Sequence, residues 1–143
     1  MSSTSYWGGR VVHEVVPTYA PGTAPSDPSR RRLMLPQGEL ALLHNSEDPI
    51  CYLAWIELKP GVLRGNHYHR VKREHLYLIQ GTARVCLLDL ETQERLELQI
   101  NAGDLILIEP GIAHVIESQE SSHAVEYSPV PMDIGDTYRH VVV

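Results

Sequence analysis

The sequence predicts an all-β fold, a sandwich or a jelly-roll barrel, from three observations. First, the chain beyond residue 33 divides into short apolar runs of strand length, separated by turn signals. Second, no apolar period of 3.6 residues persists for three helical turns. Third, the 143 residues include ten glycines and ten prolines, which favour turns. A barrel lets many short antiparallel strands bury one face with few exposed edges.

The chain is predicted to divide into an N-terminal arm, residues 1–32, which is partly mobile, and a barrel domain, residues 33–143. Five prolines between residues 17 and 36 argue against a regular helix there. The apolar run Val11–Val16 is suited to add a strand to a sheet edge or to a partner subunit. The predicted barrel strands are Leu40–His44, Tyr52–Lys59, Glu74–Gln80, Ala83–Leu90, Arg95–Ile100, Leu105–Glu109, His114–Glu117 and Ala124–Tyr127.

Composition excludes several classes of function. Twelve Lys and Arg residues against eighteen Asp and Glu give a net charge of −6, without the basic stripe that nucleic acid requires. Because the sequence has no apolar run of about 18 residues and no signal-peptide pattern, we expect a cytoplasmic protein without a membrane partner. Cys51 and Cys86 lie in apolar segments and are predicted to be buried thiols.

Two histidines with one residue between them indicate a site. In an extended strand side chains alternate between faces, so His67 and His69 point the same way, about 7 Å apart. His114 follows the Pro110-Gly111 turn and is placed to bring a third nitrogen from the opposite hairpin. The intervening basic residues Arg70, Lys72 and Arg73 are predicted to form a solvated turn.

The next strand carries a carboxylate whose face is set by alternation. Glu74 shares its face with Leu76 and Leu78, whereas His75 shares the other face with Tyr77 and Ile79. Because leucines mark the interior, Glu74 rather than His75 is predicted to enter the barrel beside His67 and His69. A buried carboxylate needs a cationic partner, and a divalent metal ion provides one.

Two motifs carry a family resemblance. Gly61, His67, His69, Glu74 and Gly81 match every fixed position of G-x5-H-x-H-x4-E-x6-G, the first motif of the cupins. The second cupin motif, G-x5-P-x-G-x2-H-x3-N, is matched at Gly103, Gly111 and His114, but Glu109 replaces its proline and Ser118 its asparagine. These two replaced positions are not ligands in the family pattern, so the difference concerns the geometry of the loop.

The resemblance implies a double-stranded β-helix in which His67, His69, Glu74 and His114 bind a divalent metal ion. This ligand set leaves zinc, iron, manganese, nickel and copper open. The run Arg64–His69 and the later Asp136–Tyr138 most resemble cupins that modify nucleotide sugars, including epimerases, ketoisomerases and a capsule-synthesis domain. Arg64 and Tyr68 flank the ligands and are therefore the candidate catalytic residues.

Three functions remain open on this basis. The first is an isomerase or epimerase acting on a carbohydrate-like, nucleotide-linked small molecule. The second is a metal-dependent dioxygenase that uses the same ligands. The third is a non-catalytic cupin that binds a small molecule. Small cupins are commonly dimeric, so the resemblance also implies a homodimer.

Overall fold

The computed structural model describes residues 3–27 and 29–143, so Met1, Ser2 and Pro28 of the predicted arm lie outside the described residues. The strands are β1 (Ser3–Tyr6), β2 (Val11–Val15), β3 (Thr18–Tyr19), β4 (Arg31–Leu35), β5 (Gly38–Leu42), β6 (Tyr52–Leu58), β7 (Arg64–Tyr68), β8 (Glu74–Gln80), β9 (Thr82–Asp89), β10 (Arg95–Asn101), β11 (Asp104–Ile108), β12 (Ile112–Glu117), β13 (Ser122–Ser128) and β14 (Tyr138–Arg139). Short 3-10 helices span Trp7–Gly9 and Ile134–Asp136. Across the described ranges, no helix has the length and apolar character needed to cross a membrane.

Two antiparallel sheets form the barrel. One has six strands in the order β1-β2-β11-β8-β13-β6, and the other has five in the order β10-β9-β12-β7-β14. Neighbouring strands are mostly distant in sequence, as in a jelly roll. A third sheet, β3-β4-β5, contributes residues that pack on the outside of the six-stranded sheet. The predicted all-β, double-stranded β-helix is therefore confirmed.

The main core lies between the two large sheets and follows the alternation of the strands. On β8, Leu76 and Leu78 are 6% and 0% exposed and belong to this inner core. Tyr77, between them, packs instead in an outer cluster with Val16 and Tyr127. Glu74 shares the face of the two leucines, so the structure confirms that it points into the barrel.

The N-terminal strands belong to the barrel sheet. β2 pairs with β11, and Val11 is fully buried in the inner core. The predicted extra strand therefore joins the sheet of its own chain. Arg10 secures this segment through an ion pair with the buried Asp89. The division between arm and barrel stays a prediction, although β4 runs across the limit at residue 32.

The two cysteines differ in exposure. Cys86 on β9 is buried as predicted, whereas Cys51 is exposed, so the prediction for Cys51 is wrong. The physical reason is its place just before β6, the last strand of the six-stranded sheet. On that strand Leu53 and Trp55, which share the parity of Cys51, are also exposed.

Candidate functional site

Strands β7 and β12 bring two of the predicted histidines together. His114 pairs directly with His67, and their ring centroids are 4.9 Å apart. Gly65 allows this close approach, because a Cβ there would lie 2.6 Å from the carbonyl oxygen of His114. The φ of Gly65 is +119°, which side-chain-bearing residues rarely adopt. Glycine at this position is therefore required by the packing of β7 against β12.

Three imidazoles converge at one end of the barrel. One nitrogen each from His67, His69 and His114 lies within 4.8 Å of the others. The ring of His69 is 5.0 Å from that of His67 and 5.8 Å from that of His114, between centroids. The structure thus brings together His67 on β7, His69 just after β7, and His114 on the neighbouring strand β12.

Backbone carbonyls orient two of these rings. His69 Nδ1 lies 2.9 Å from the carbonyl oxygen of Asp136, and His114 Nδ1 lies 3.0 Å from that of Ile112. Because a carbonyl oxygen only accepts, each Nδ1 carries the proton, and in the neutral ring Nε2 keeps its lone pair. Both Nε2 atoms are buried. His69 Nε2 has no hydrogen-bond partner among the described residues, whereas His114 Nε2 faces a carboxylate oxygen of Glu74. They are oriented as ligand atoms are in metal sites.

Glu74 completes the predicted set. Its Oε2 lies 3.1 Å from His114 Nε2 and its Oε1 lies 3.9 Å from His69 Nε2. Burial alone would raise the pKa of the Glu74 carboxyl, but His114, Lys72 and His69 outweigh it and hold that pKa well below its ordinary value. Burial lowers the pKa of His114, but the charge of Glu74, the hydrogen bond to it and the bond to the Ile112 carbonyl together raise it above its ordinary value. In the metal-free chain, Glu74 is therefore a carboxylate facing His114.

The other two imidazoles are neutral at pH 7. Burial first, and then the neighbouring His114 and His69, lower the pKa of His67 to about 4. Burial also lowers the pKa of His69, although its bond to Asp136 opposes the change. Neutral imidazole is the form that accepts a proton or binds a metal ion.

The four side chains fit a divalent metal ion by their chemistry. They offer three imidazole nitrogens and one carboxylate, and the buried His69 Nε2 has no hydrogen-bond partner in the described part of the chain. Imidazole and carboxylate are the ligands that zinc and iron accept. The close approach of Glu74 to His114 and the oriented rings favour such an ion, and its binding stays a prediction.

Two charged residues of the site were not predicted. Lys72, predicted in a solvated turn, is only 8% exposed, and its Nζ lies 3.4 Å from Glu74 Oε1 and 2.9 Å from Glu126 Oε1. Glu126 lines the same cavity as Glu74. Burial and then the Glu74 charge raise the pKa of Glu126. One sequence feature could have indicated Glu126. It lies two residues after the buried Ala124, so alternation along the strand places its charge on the inner face.

Asp136 supports the site from the C-terminal segment. Its carboxylate accepts hydrogen bonds from the backbone N–H groups of Arg70, Val71 and Lys72, at 2.8, 3.2 and 3.0 Å. Its carbonyl oxygen holds the ring of His69. Asp136 therefore fixes both the turn that carries Lys72 and one of the imidazoles.

The two candidate catalytic residues lie in different places. Arg64 is exposed and lines the cavity beside His67. Tyr68 packs instead in a separate cluster with Cys86 and Leu88 of β9, and its ring stacks on Tyr138 at 5.2 Å between centroids. Alternation along β7 explains this separation, because residue 68 points away from residue 67. The structure does not bring Tyr68 to the imidazoles.

The cavity at the imidazoles is small. Its volume is about 40 Å³, and its polar lining consists of Arg64, His67, Glu74, His114 and Glu126. Pockets for small organic ligands commonly measure about 300–1,000 Å³. This cavity has room for an ion with water. A cavity of about 810 Å³ lies on the outer face of the six-stranded sheet beside His75 and Tyr127, away from the three converging imidazoles.

Comparison with a family model decides the family. Residues 40–127 match the model described as the polysaccharide biosynthesis C-terminal domain. This match covers more than half of the chain. The chain belongs to this family. The matched range contains all four predicted ligands and Arg64.

Two curated relatives share part of this sequence. Cruciferin CRU1 of Brassica napus is 28% identical over 102 residues, which are 67% of this chain and 20% of the relative. Cruciferin PGCRURSE5 of Raphanus sativus is 30% identical over 98 residues, 64% of this chain and 20% of the relative. The chain thus spans about a fifth of the length of these relatives.

Solved structures share the fold at low sequence identity. A 3,4-ketoisomerase from Helicobacter canadensis has a TM-score of 0.69 and 16% identity, covering 77% of this chain and 86% of its own. The dTDP-4-dehydrorhamnose 3,5-epimerase of Sulfolobus tokodaii has a TM-score of 0.71 and 16% identity, with coverage of 94% and 79%. The capsular polysaccharide assembling protein CapF of Staphylococcus aureus has a TM-score of 0.61 and 20% identity, with coverage of 80% and 33%. These structures confirm that the chain has the cupin fold.

Proposed function

We propose that this chain is an isomerase or epimerase that acts on a carbohydrate-like, nucleotide-linked substrate at the end of the barrel where the three imidazoles converge. The description of its family refers to polysaccharide biosynthesis, and the similar solved structures include a 3,4-ketoisomerase and a 3,5-epimerase. These names support the class of substrate. The chemistry has to come from the residues of this chain.

A neutral imidazole in the cavity wall is the observation that carries the proposal. Isomerisation of a keto sugar requires a base that removes a proton from the carbon next to the carbonyl group. His67 lines the cavity, and its pKa of about 4 keeps it unprotonated at neutral pH. An imidazole with so low a pKa is a weak base, so the negative charge that develops on the substrate has to raise the pKa of His67 during the transfer. After the transfer, the imidazolium returns the proton readily.

Arg64 supplies a positive charge beside this base. It is exposed at the cavity and makes no ion pair within the described ranges. A free guanidinium suits the diphosphate of a nucleotide sugar, or the oxyanion that forms when the proton leaves. Because the cavity measures only about 40 Å³, a sugar ring would fit only if lining side chains move, and we expect it to enter beside the exposed Arg64.

We also propose that His67, His69, Glu74 and His114 bind a divalent metal ion when one is supplied. A bound ion would act as a Lewis acid on a carbonyl oxygen. The lone pair of His67 cannot bind an ion and accept a proton at the same time. The metal-free and metal-bound proteins are therefore expected to differ in activity, and proton transfer by His67 belongs to the metal-free protein.

Solvent exchange tests the proposed reaction. The protein, treated with EDTA or loaded with metal, is incubated in D₂O with TDP-4-keto-6-deoxyglucose, a ligand named for one similar ketoisomerase structure. Deuterium is expected at C3 or C5 by NMR, and His67→Asn is expected to slow its uptake about 100-fold. His123→Asn, which alters a ring stacked on Trp55 outside the site, serves as the control. No exchange and no thermal protection by nucleotide sugars would exclude this function.

A metal-dependent dioxygenase is the second candidate, and the small cavity favours it. About 40 Å³ suits dioxygen and an ion better than a sugar ring. Oxygen uptake by the Fe²⁺-loaded protein, measured with a panel of candidate substrates, separates the two candidates. Uptake that is lost in His69→Ala supports the dioxygenase, and its absence together with deuterium exchange supports the isomerase.

A further inference from the structure

A buried ammonium group lies beside the proposed metal ligands. Lys72 Nζ approaches Glu74 Oε1 at 3.4 Å and Glu126 Oε1 at 2.9 Å. Its side chain is only 9% exposed, and those of Glu74 and Glu126 are 6% and 13% exposed. In such a position charges are screened much less than at the surface. One cation is therefore already bonded to the carboxylate that the metal ion would use.

Contacts at the backbone and at the ammonium group hold Lys72 in place. Asp136 accepts the backbone N–H of Lys72 at 3.0 Å. Nζ lies 4.1 Å from the centre of the Tyr52 ring, within the range of a cation–π contact. Of the two carboxylates that contact Nζ, Glu126 is the nearer. Lys72 is thus fixed and does not swing freely into solvent.

Lys72 and a metal ion would share one oxygen atom. Glu74 Oε1 faces both Lys72 Nζ, at 3.4 Å, and His69 Nε2, at 3.9 Å. An ion bound by His69 and Glu74 would therefore lie a few ångströms from the ammonium group. Two positive charges at that separation in a poorly screened site repel each other strongly.

We propose that Lys72 is an internal cation that weakens divalent-ion binding at His67, His69, Glu74 and His114, and that Glu126 holds it there. This inference rests on the proposed metal binding and is independent of the isomerase reaction. Lys72 touches no substrate in this account and acts through Glu74. Removing its charge leaves two neighbouring carboxylates without their shared partner, so the site should attract a cation more strongly.

Cobalt titration of the metal-stripped protein tests this inference. Calorimetry and the visible absorption of Co²⁺ give the affinity without any enzymatic assay. Lys72→Met is expected to bind Co²⁺ at least about tenfold more tightly than the unaltered chain. Lys72→Arg keeps the charge and should bind about as the unaltered chain does. Arg73→Met removes a neighbouring cation whose partner is Glu109, and it should leave the affinity unchanged.

Glu126→Gln provides a second test that does not alter Lys72. With Glu126 neutralised, Glu74 is the one carboxylate that still pairs with the ammonium group. Lys72 then competes more strongly with Co²⁺ for Glu74, and the affinity for Co²⁺ should fall. Lys72→Gln replaces Lys72→Met if the latter does not fold, as judged by circular dichroism. Equal or weaker Co²⁺ binding by the charge-removing Lys72 variants would overturn the inference and leave the metal site standing. No Co²⁺ binding by any variant would overturn the metal site as well.

Discussion

The histidines inside the barrel differ from those on its outer face in what their rings contact. His67, His69 and His114 place three nitrogens within 4.8 Å of one another. His75 instead stacks on Tyr127 at 4.6 Å and 4°, and His123 stacks on Trp55 at 5.2 Å. Burial is the first cause that lowers the pKa of both His67 and His75 to about 4. A depressed pKa therefore occurs both at the site, in His67, and outside it, in His75, so convergence of the rings distinguishes the site.

Gly65→Ala should have the largest effect, because it separates the strands that make the inner group converge. The new Cβ would meet the carbonyl oxygen of His114 at 2.6 Å, at a φ of +119°. We expect a loss of about 3 kcal/mol in the free energy of unfolding, measured with urea. Gly61→Ala is the matched control, because its φ is +73° but no atom lies within 4 Å of the Cβ. Equal losses would show that β12 does not need this close approach.

Asp136→Asn should have the next largest effect and should act only on the inner group. The carboxylate accepts three backbone hydrogen bonds at the turn before Glu74. Its replacement should cost about 2 kcal/mol in unfolding free energy. Burial would raise the pKa of Asp136, but the hydrogen bonds from Arg70, Lys72 and Val71 lower it below 3.8.

The sign of this pKa shift sets the pH dependence. The stabilisation by Asp136 is present above the ordinary pKa of 3.8 and is lost as the pH falls through the lower pKa of the folded chain. Unfolding curves of the unaltered chain and of Asp136→Asn should therefore converge at strongly acid pH. Curves that keep the same separation below pH 3 would contradict the role of the carboxylate charge.

His75→Asn tests how an outer-face histidine contributes to the pH dependence of the free energy of unfolding. The folded chain lowers the pKa of His75 from 6.5 to about 4 by burial and by the charges of Arg30 and Arg73. As the pH falls, the unfolded chain therefore protonates His75 before the folded chain does. The stability that the neutral His75 contributes above pH 6.5 is lost as the pH falls from 6.5 to about 4. The contribution to the slope is about 1.4 kcal/mol per pH unit. His75→Asn should flatten the slope, and an unchanged slope would contradict the burial argument.

His123→Asn should have the smallest effect. Its ring is partly exposed on the outer face, where it contacts Trp55. We expect a change in unfolding free energy within about 0.5 kcal/mol and no change in Co²⁺ affinity. A large change in Co²⁺ affinity would mean that the outer histidines are coupled to the inner group.

Local alternation predicted much of the fold and of the site. The bounds Glu74–Gln80 are the same in the prediction and in the structure, and the face of Glu74 is correct. The spacing of His67 and His69 sufficed because alternation in a strand is set by covalent geometry.

Features that depend on distant residues were not predicted. Lys72 was assigned to solvent, because its burial depends on Asp136 and Glu126, which lie 64 and 54 residues away in sequence. The short strands β1, β3 and β14 have no apolar alternation and form only by pairing with a neighbour. Ser118 stands where the second motif has asparagine, and its hydroxyl contacts that of Ser122 at 2.7 Å, which no spacing in the sequence reveals.

Co²⁺ titration of the unaltered, metal-stripped chain most directly tests whether the converging imidazoles and Glu74 form a metal site. One equivalent of Co²⁺ should bind with visible absorption, be lost in His114→Ala and be retained in His75→Ala. Absence of binding at millimolar Co²⁺, or binding that survives in His114→Ala, would contradict the account.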